Sequence, residues 1–139
     1  MPYLFLLGRL IFGGFFIIFG ARHFTRLASM VPYVAEKGVP LPEVAVLGSG
    51  LIAVIAGLSI LVGLRPRWGV ALVALFLIPV SVIMHNFWAD TDPMARQMNQ
   101  GHFAKNMAIL AGALMLLAVP EPWPWSVDRP RVSPARDQA

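Results

Sequence analysis

The stretch "VAVLGSGLIAVIAGLSILVGL", residues 44–64, decides the fold, because it contains no charged residue over its whole length. A membrane core of about 30 Å requires roughly 17 to 25 mostly apolar residues in one crossing helix. Three more stretches meet this requirement, residues 3–20, 68–87 and 103–119. We therefore predict an all-α integral membrane protein, a four-transmembrane-helix bundle that occupies residues 1–119 as one domain.

The composition favours the same class of protein. The chain of 139 residues is 58% hydrophobic and 13% charged, whereas soluble domains carry about 25% charged residues. Lipid offers backbone groups no water, so spanning segments of this length must be helices. Arg9 interrupts the first apolar run and no signal-peptide cleavage site follows, so we expect an uncleaved helix. Residues 120–139 are rich in proline and are predicted to be disordered.

Charge and cysteine content exclude several functions. The basic residues that give the net charge of +4 are scattered over helix ends and the tail, so we expect them to meet lipid headgroups rather than nucleic acid. The chain has no cysteine, which excludes disulfides and a thiol relay within it. Basic residues divide evenly between the two sides of the bundle, so their number alone does not decide the orientation in the membrane. The turn "GLRPRWG", residues 63–69, tilts the prediction toward both termini in the cytoplasm of a bacterial inner membrane.

Small residues spaced four apart predict where helices approach closely in lipid. Ala53 and Gly57 form such a pair in the second predicted helix. Ala104, Ala108 and Gly112 form a similar set in the fourth. We expect both sets to be contacts within the bundle.

Two residues are unusual inside a membrane helix. Arg9 shares a helical face with Gly13 and Gly20, which indicates that it faces protein, although it is also near enough to the helix end to reach the headgroups. Pro79 lacks a backbone donor and is expected to bend the third helix about two turns before His85.

Polar residues collect on one side of the membrane if the four helices alternate in direction. The first and third helices end on that side and the fourth begins there, so all three histidines of the chain converge. We predict a polar pocket at this interface. Its candidate binding residues are His85, Asn86, Trp88, His102, Lys105 and Asn106, and its supporting residues are Arg9, Arg22 and His23.

Several interpretations of this pocket remain open. Its cations could reach the headgroups, its asparagines could cap helices and Trp88 could belong to an interfacial aromatic belt. Three histidines permit a metal site without arguing for one, and a haem would need histidines deeper in the bilayer, so we assign no metal. A quinone fits better, because histidine, lysine and asparagine can bond its oxygens while Phe87, Trp88 and Phe103 flank its ring.

Four stretches together resemble the DoxX family of small four-helix membrane proteins. They are "LGRLIFGGFFIIFGARHF", "GSGLIAVIAGLSILVGL", "MHNFWAD" and "QGHFAKNMAILAGAL", and the resemblance extends from residue 4 to about residue 118. The most specific element is the pairing of the histidine-containing third and fourth stretches, and Arg9 matches as well. His23 departs from the family pattern, where lysine is more common, which places its role in doubt.

The resemblance implies a redox-associated role, since members of the family are linked to oxidation by quinone and to oxidative and thiol stress. We therefore expect a quinone in the pocket and a partner oxidoreductase. In this hypothesis His85 and His102 bond the quinone oxygens and Lys105 stabilises the reduced anion. The alternative is a non-catalytic assembly or chaperone protein that docks another protein through the same face. A third hypothesis, solute transport, would require a homo-oligomer.

Overall fold

The computed structural model describes residues 1–128, and the regular structure in that part of the chain is entirely helical. The α-helices are α1 (Pro2–Thr25), α2 (Leu27–Glu36), α3 (Pro42–Val62), α4 (Pro66–Pro79) and α5 (Pro93–Met115). A π-helical turn, Val80–Met84, continues α4, and short 3-10 segments lie at Phe87–Ala89 and Leu116–Ala118. By length and composition, four segments could cross a membrane: Pro2–Thr25, Pro42–Val62, Pro66–Ala89 and Pro93–Ala118. The predicted all-α membrane bundle is confirmed.

The last membrane helix begins earlier than predicted. The apolar pattern predicts a start at residue 103, whereas α5 begins at Pro93. Proline suits the first turn of a helix, where its missing N–H is not required. The Asp92 carboxylate accepts a hydrogen bond from the Ala95 N–H at 2.7 Å and so caps the helix. These two residues explain why a polar stretch that resembles a loop is helical.

Close backbone contact joins α1 and α3, which run antiparallel. A Cβ atom placed on Gly57 would lie 2.6 Å from the carbonyl oxygen of Gly13. One on Gly20 would lie 2.9 Å from the carbonyl oxygen of Gly50. These spacings leave no room for a side chain, so glycine at these positions permits the two backbones to touch.

The small residues of the second and fourth predicted helices behave differently. Ala53 and Gly57 are buried in the bundle, as expected. Ala104 and Ala108 are exposed, and a Cβ atom on Gly112 would meet nothing within 4 Å. The expectation that this second set packs inside the bundle is wrong, because α5 turns a different face inward.

Arg9 ties three parts of the chain together. Its side chain is buried, with a relative exposure of 2%, and its Nε and Nη2 atoms donate to the carbonyl oxygens of Ile60 and Leu61 at 3.1 and 2.8 Å. Nη1 donates to the carbonyl oxygen of Pro124 at 2.7 Å. The last carbonyls of a helix lack partners within it and carry negative partial charge, so Arg9 caps the end of α3. The guanidinium also lies 5.4 Å from the ring centre of Trp123.

Residues 120–128 pack against the bundle, although disorder was expected from residue 120 onward. Trp123 is almost fully buried, and the Val127 N–H donates to the carbonyl oxygen of Val62 at 3.0 Å. Gly63 has a φ of 69° and makes room for Ser126, since a Cβ atom there would lie 2.6 Å from the Cβ of that serine. The remainder of the predicted tail, residues 129–139, lies outside the described residues.

The α-helical part of the third span ends at Pro79, which lacks a backbone N–H. The chain continues through the π-helical turn, in which the buried Ser81 hydroxyl donates to the carbonyl oxygen of Leu77 at 2.6 Å. Such wide turns are often found at functional sites. Here the turn leads directly to His85.

Replacing Arg9 by methionine is expected to lower the free energy of unfolding by about 2 to 4 kcal/mol, because three buried or partly buried carbonyl groups lose a charged donor. Unfolding by sodium dodecyl sulfate in mixed micelles, followed by circular dichroism, measures the change. Arg67→Met is the matched control, since that side chain is 72% exposed and forms one ion pair with Glu121. Its effect should stay below about 0.5 kcal/mol. Equal effects of the two substitutions would contradict the capping role.

The glycine contacts generate a second prediction. Gly57→Val places a branched side chain against the α1 backbone and should destabilise the bundle by about 1 to 3 kcal/mol. Gly112→Val introduces the same residue where nothing lies within 4 Å and should be tolerated. The same unfolding titration compares the two variants. Similar stability of both would show that α1 and α3 do not depend on this close approach.

Candidate functional site

A cavity of about 420 Å³ lies at the end of the bundle where α1 ends and α3 begins. Residues of α2, the first turns of α3 and the π-helical turn form most of its wall. The lining is largely apolar and includes four polar side chains, His23, Tyr33, Ser49 and His85. Small-molecule sites commonly have this form, with an apolar wall and a few polar groups.

Helix α2 is an amphipathic segment that folds over this cavity and contributes Met30 and Tyr33 to its wall. Two contacts connect this part of the chain to the end of the third membrane segment. Lys37 Nζ donates to Asn86 Oδ1 at 3.1 Å, and the Tyr33 hydroxyl makes a long contact of 3.5 Å with the Met84 carbonyl oxygen. The segment between the first two membrane helices is therefore part of the pocket.

Burial raises the pKa of the Tyr33 phenol, and the negative charges of Asp90 and Glu36 raise it further. The ordinary pKa of tyrosine is already about 10, so Tyr33 keeps its proton at physiological pH. It stays a neutral hydroxyl at the edge of the cavity.

His85 connects the cavity to α5. Its Nδ1 atom lies 3.2 Å from Asn99 Oδ1, and Asn99 Nδ2 donates to Asp90 Oδ2 at 2.8 Å. The His85 ring also stacks on the ring of His102, with centroids 4.9 Å apart and an interplanar angle of 27°. His85 is thus held on two sides.

The structure brings some of the predicted binding residues together and leaves others outside the cavity. His102 touches His85 but is exposed, and Lys105 is also exposed. Asn86 accepts a hydrogen bond from Lys37 and does not line the cavity. Asn106 is 5% exposed and does not line the cavity.

Trp88 packs with aromatic neighbours instead of facing the cavity. Its ring centre lies 5.2 Å from that of Phe87 and 5.8 Å from that of Phe103. The side chain is 53% exposed. This small aromatic cluster is typical of an interfacial belt.

The three supporting residues separate. His23 lines the cavity, and its Nδ1 atom lies 3.0 Å from the Phe19 carbonyl oxygen. Arg22 is exposed and lies over the Phe19 ring, 4.5 Å from its centre. Arg9 lies beside the turn between α3 and α4, and His85 is one membrane-spanning segment away, about 28 Å at 1.5 Å per residue. Its predicted supporting role at the pocket does not fit, because its partners lie at the opposite end of the bundle.

Across residues 1–128, no three histidine, aspartate or glutamate side chains come together in an arrangement that could hold a metal ion. The three-histidine metal site considered from the sequence therefore has no geometric support in this part of the chain. His85 and His102 stack face to face, which is a packing contact rather than a shared ligand geometry.

Sequence reasoning missed four residues of this region, Tyr33, Lys37, Ser49 and Asn99. Tyr33 and Lys37 lie four residues apart, a helical spacing, in the segment between the first two predicted membrane helices. Asn99 lies three residues before His102, so both share one side of the helix once the fourth predicted helix is extended to begin before residue 103. Nothing in the local sequence distinguishes Ser49 from the other small residues of α3.

Comparison with known proteins agrees with this architecture. The sequence model of the DoxX family matches residues 4–86, more than half of the chain. The chain belongs to the DoxX family. This DoxX-family chain is also similar to the inner membrane protein YphA of Escherichia coli (strain K12), with 34% identity over 128 residues that cover 92% of this chain and 90% of that protein. No solved structure matches it.

The resemblance noted in the sequence is confirmed, and the family match includes His85 and Asn86. His102, Lys105 and Asn106 lie beyond it. With its four apolar spans and its similarity to an inner membrane protein, the DoxX-family chain is an integral inner membrane protein.

The absence of cysteine allows a direct test of the cavity. Ser49→Cys places a thiol on the cavity wall, whereas Ser81→Cys places one at a fully buried position. N-ethylmaleimide should modify the first at least about ten times faster, because reagents reach a thiol only where it is accessible. Mass spectrometry of the protein in mild detergent gives the rates. Equal protection of both thiols would show that the cavity is closed.

Proposed function

We propose that this DoxX-family protein binds a lipid-soluble ring compound of the quinone class in the cavity beneath α2. The observation that carries the proposal is a mostly apolar cavity of about 420 Å³ that contains a few polar side chains at one end of the membrane helices. Such a position suits a ligand that partitions into lipid. Apolar walls accommodate the ring and the start of a tail, and the polar side chains can bond its oxygens.

The residues take different roles in this proposal. His85 contacts a ligand oxygen, because it is the binding candidate from the sequence that lines the cavity. His102 supports the His85 ring by stacking on it. Asn86 has a structural role, because its hydrogen bond with Lys37 connects the segment after α2 to the end of the third span. Lys105 contributes no direct contact with a ligand in the cavity.

A partner oxidoreductase belongs to the same proposal. The chain has no cysteine, so any thiol-based electron relay would have to come from another protein. Trp88, His102 and Lys105 are exposed close to the cavity and offer a surface for such a partner. The same exposed surface favours a second candidate function, a non-catalytic assembly protein that docks another protein there.

Two matched variants test where the ligand binds. Ala45→Phe fills the cavity, whereas Ala104→Phe adds the same side chain at an exposed position of α5. We expect purified wild-type protein to retain quinone on extraction, detected by mass spectrometry, and to bind added decylubiquinone in its oxidised or reduced form. Ala45→Phe should weaken this binding at least about tenfold, since the ligand loses its space, and Ala104→Phe should not.

Failure to find or bind either form of the compound would overturn the quinone proposal. Unchanged binding in Ala45→Phe would also overturn it. If a second protein is retained instead and is lost on Trp88→Ala, the assembly function is favoured.

A further inference from the structure

We propose that the cavity selects a lipid-soluble compound that carries a hydroxyl group over one that carries only carbonyl or ether oxygens, and that Asn99 is the positioning residue that establishes this preference through His85. The inference rests on the proposed function in one respect, namely that a ligand occupies the cavity. It goes further by stating that the ligand must supply a hydrogen-bond donor.

The orientation of the Asn99 amide is fixed by Asp90. A carboxylate only accepts hydrogen bonds, so the amide nitrogen of Asn99 must face it, at 2.8 Å. The reversed amide would place two acceptor oxygens against each other. The oxygen of Asn99 therefore faces His85.

This orientation determines the tautomer of His85. Asn99 Oδ1 can only accept, and it lies 3.2 Å from His85 Nδ1, so the imidazole proton is on Nδ1. In neutral imidazole the other nitrogen, Nε2, then carries a lone pair and acts as an acceptor.

The acceptor atom of His85 is available to a ligand. Nε2 has no hydrogen-bond partner among residues 1–128. In that range, every fully buried side-chain nitrogen or oxygen of a residue that is not exposed has such a partner, so Nε2 is not fully buried. Nε2 is therefore accessible, and His85 is one of the residues that line the cavity.

Two other polar side chains of the cavity, those of His23 and Ser49, are arranged in a similar way. His23 Nδ1 faces a carbonyl oxygen, that of Phe19, so its proton is also on Nδ1. The Ser49 hydroxyl donates to the carbonyl oxygen of Val46 at 3.0 Å. The Tyr33 hydroxyl makes only the long contact of 3.5 Å with the carbonyl oxygen of Met84, at the exposed edge of the cavity. His23 and Ser49 thus direct their hydrogens toward the protein, as His85 does.

At His85 the cavity therefore offers an acceptor to its ligand, and the hydrogens of His23 Nδ1 and of the Ser49 hydroxyl are directed toward backbone carbonyl oxygens. A hydroxyl group can donate to His85 Nε2, whereas a carbonyl or ether oxygen would face another acceptor. An unpaired polar group in an apolar site is costly, so the preference should be strong. A ring compound in its hydroxylated, reduced form is therefore expected to bind more tightly than its fully oxidised form.

A pair of probes that differ only in the hydrogen-bond donor tests this inference without redox chemistry. 4-Nonylphenol carries a hydroxyl group, and 4-nonylanisole carries a methyl ether at the same position. We expect the wild-type protein in lipid nanodiscs to bind the phenol about ten times more tightly, the difference that one hydrogen bond makes. Equilibrium dialysis against empty nanodiscs gives both affinities.

Asn99→Leu should reduce this ratio to near one, because His85 can then carry its proton on either nitrogen. Gln100→Leu is the matched control, since it removes an exposed neighbouring amide of the same helix, and it should keep the wild-type ratio. A general loss of stability would weaken the binding of both probes equally and leave the ratio of their affinities unchanged. A change in the ratio therefore indicates a positioning role.

Nitrogen-15 NMR gives a readout that does not require binding. The chain has three histidines, so labelling this residue type yields few signals. His85 should show the tautomer protonated on Nδ1 in the wild type and lose this preference in Asn99→Leu, while His23 should not change.

The outcomes separate the two proposals. Equal binding of phenol and ether in the wild type overturns the hydroxyl preference, although the cavity still binds a ring compound. An unchanged ratio or an unchanged His85 tautomer in Asn99→Leu overturns the positioning role. Absence of binding by either probe, together with absence of quinone binding, removes the proposed function itself.

Discussion

Arg9 carries a positive charge into the bundle, and three backbone carbonyl oxygens accept its hydrogen bonds. Two of them belong to the end of α3 and the third to Pro124, so one side chain joins α1, α3 and the C-terminal segment. The charge is tolerated because the negative end of the α3 dipole and the Trp123 ring surround it. This contact fixes how far α1 slides along α3, and the glycine contacts then bring the two helices together.

The position of α1 along α3 also shapes the opposite end of the bundle. Because the two helices are antiparallel, His23 near the end of α1 lies beside Gly50 near the start of α3. Pro79 changes the third span from α-helix to a π-helical turn, which ends just before His85. Helix α2 then folds over the space between these elements. The cavity thus arises from a break in one helix and a short amphipathic helix across it, both at the end remote from Arg9.

The four spans could be predicted because hydrophobicity summed over about 20 residues is a local property, and lipid leaves helices as the outcome. The residues at which the helices begin and end were harder to predict. The start of α5 depends on the cap at Asp92, a signal present in the sequence but masked by the polar residues that follow. The order in residues 120–128 depends on Trp123 and on Arg9, which lies more than one hundred residues earlier, with a separation of 115 between Arg9 and Pro124.

The sequence by itself determined the membrane class, the number of spans and the side of the bundle on which His85 and His102 meet. Their convergence followed from the alternation of helix direction, which needs no side-chain detail. Only the tertiary structure decided which of the polar residues face the cavity, because that depends on how each helix is rotated about its axis. It also decided the link from Asp90 through Asn99 to His85, since a hydrogen bond forms only when atoms from separate segments come within about 3 Å in the correct orientation.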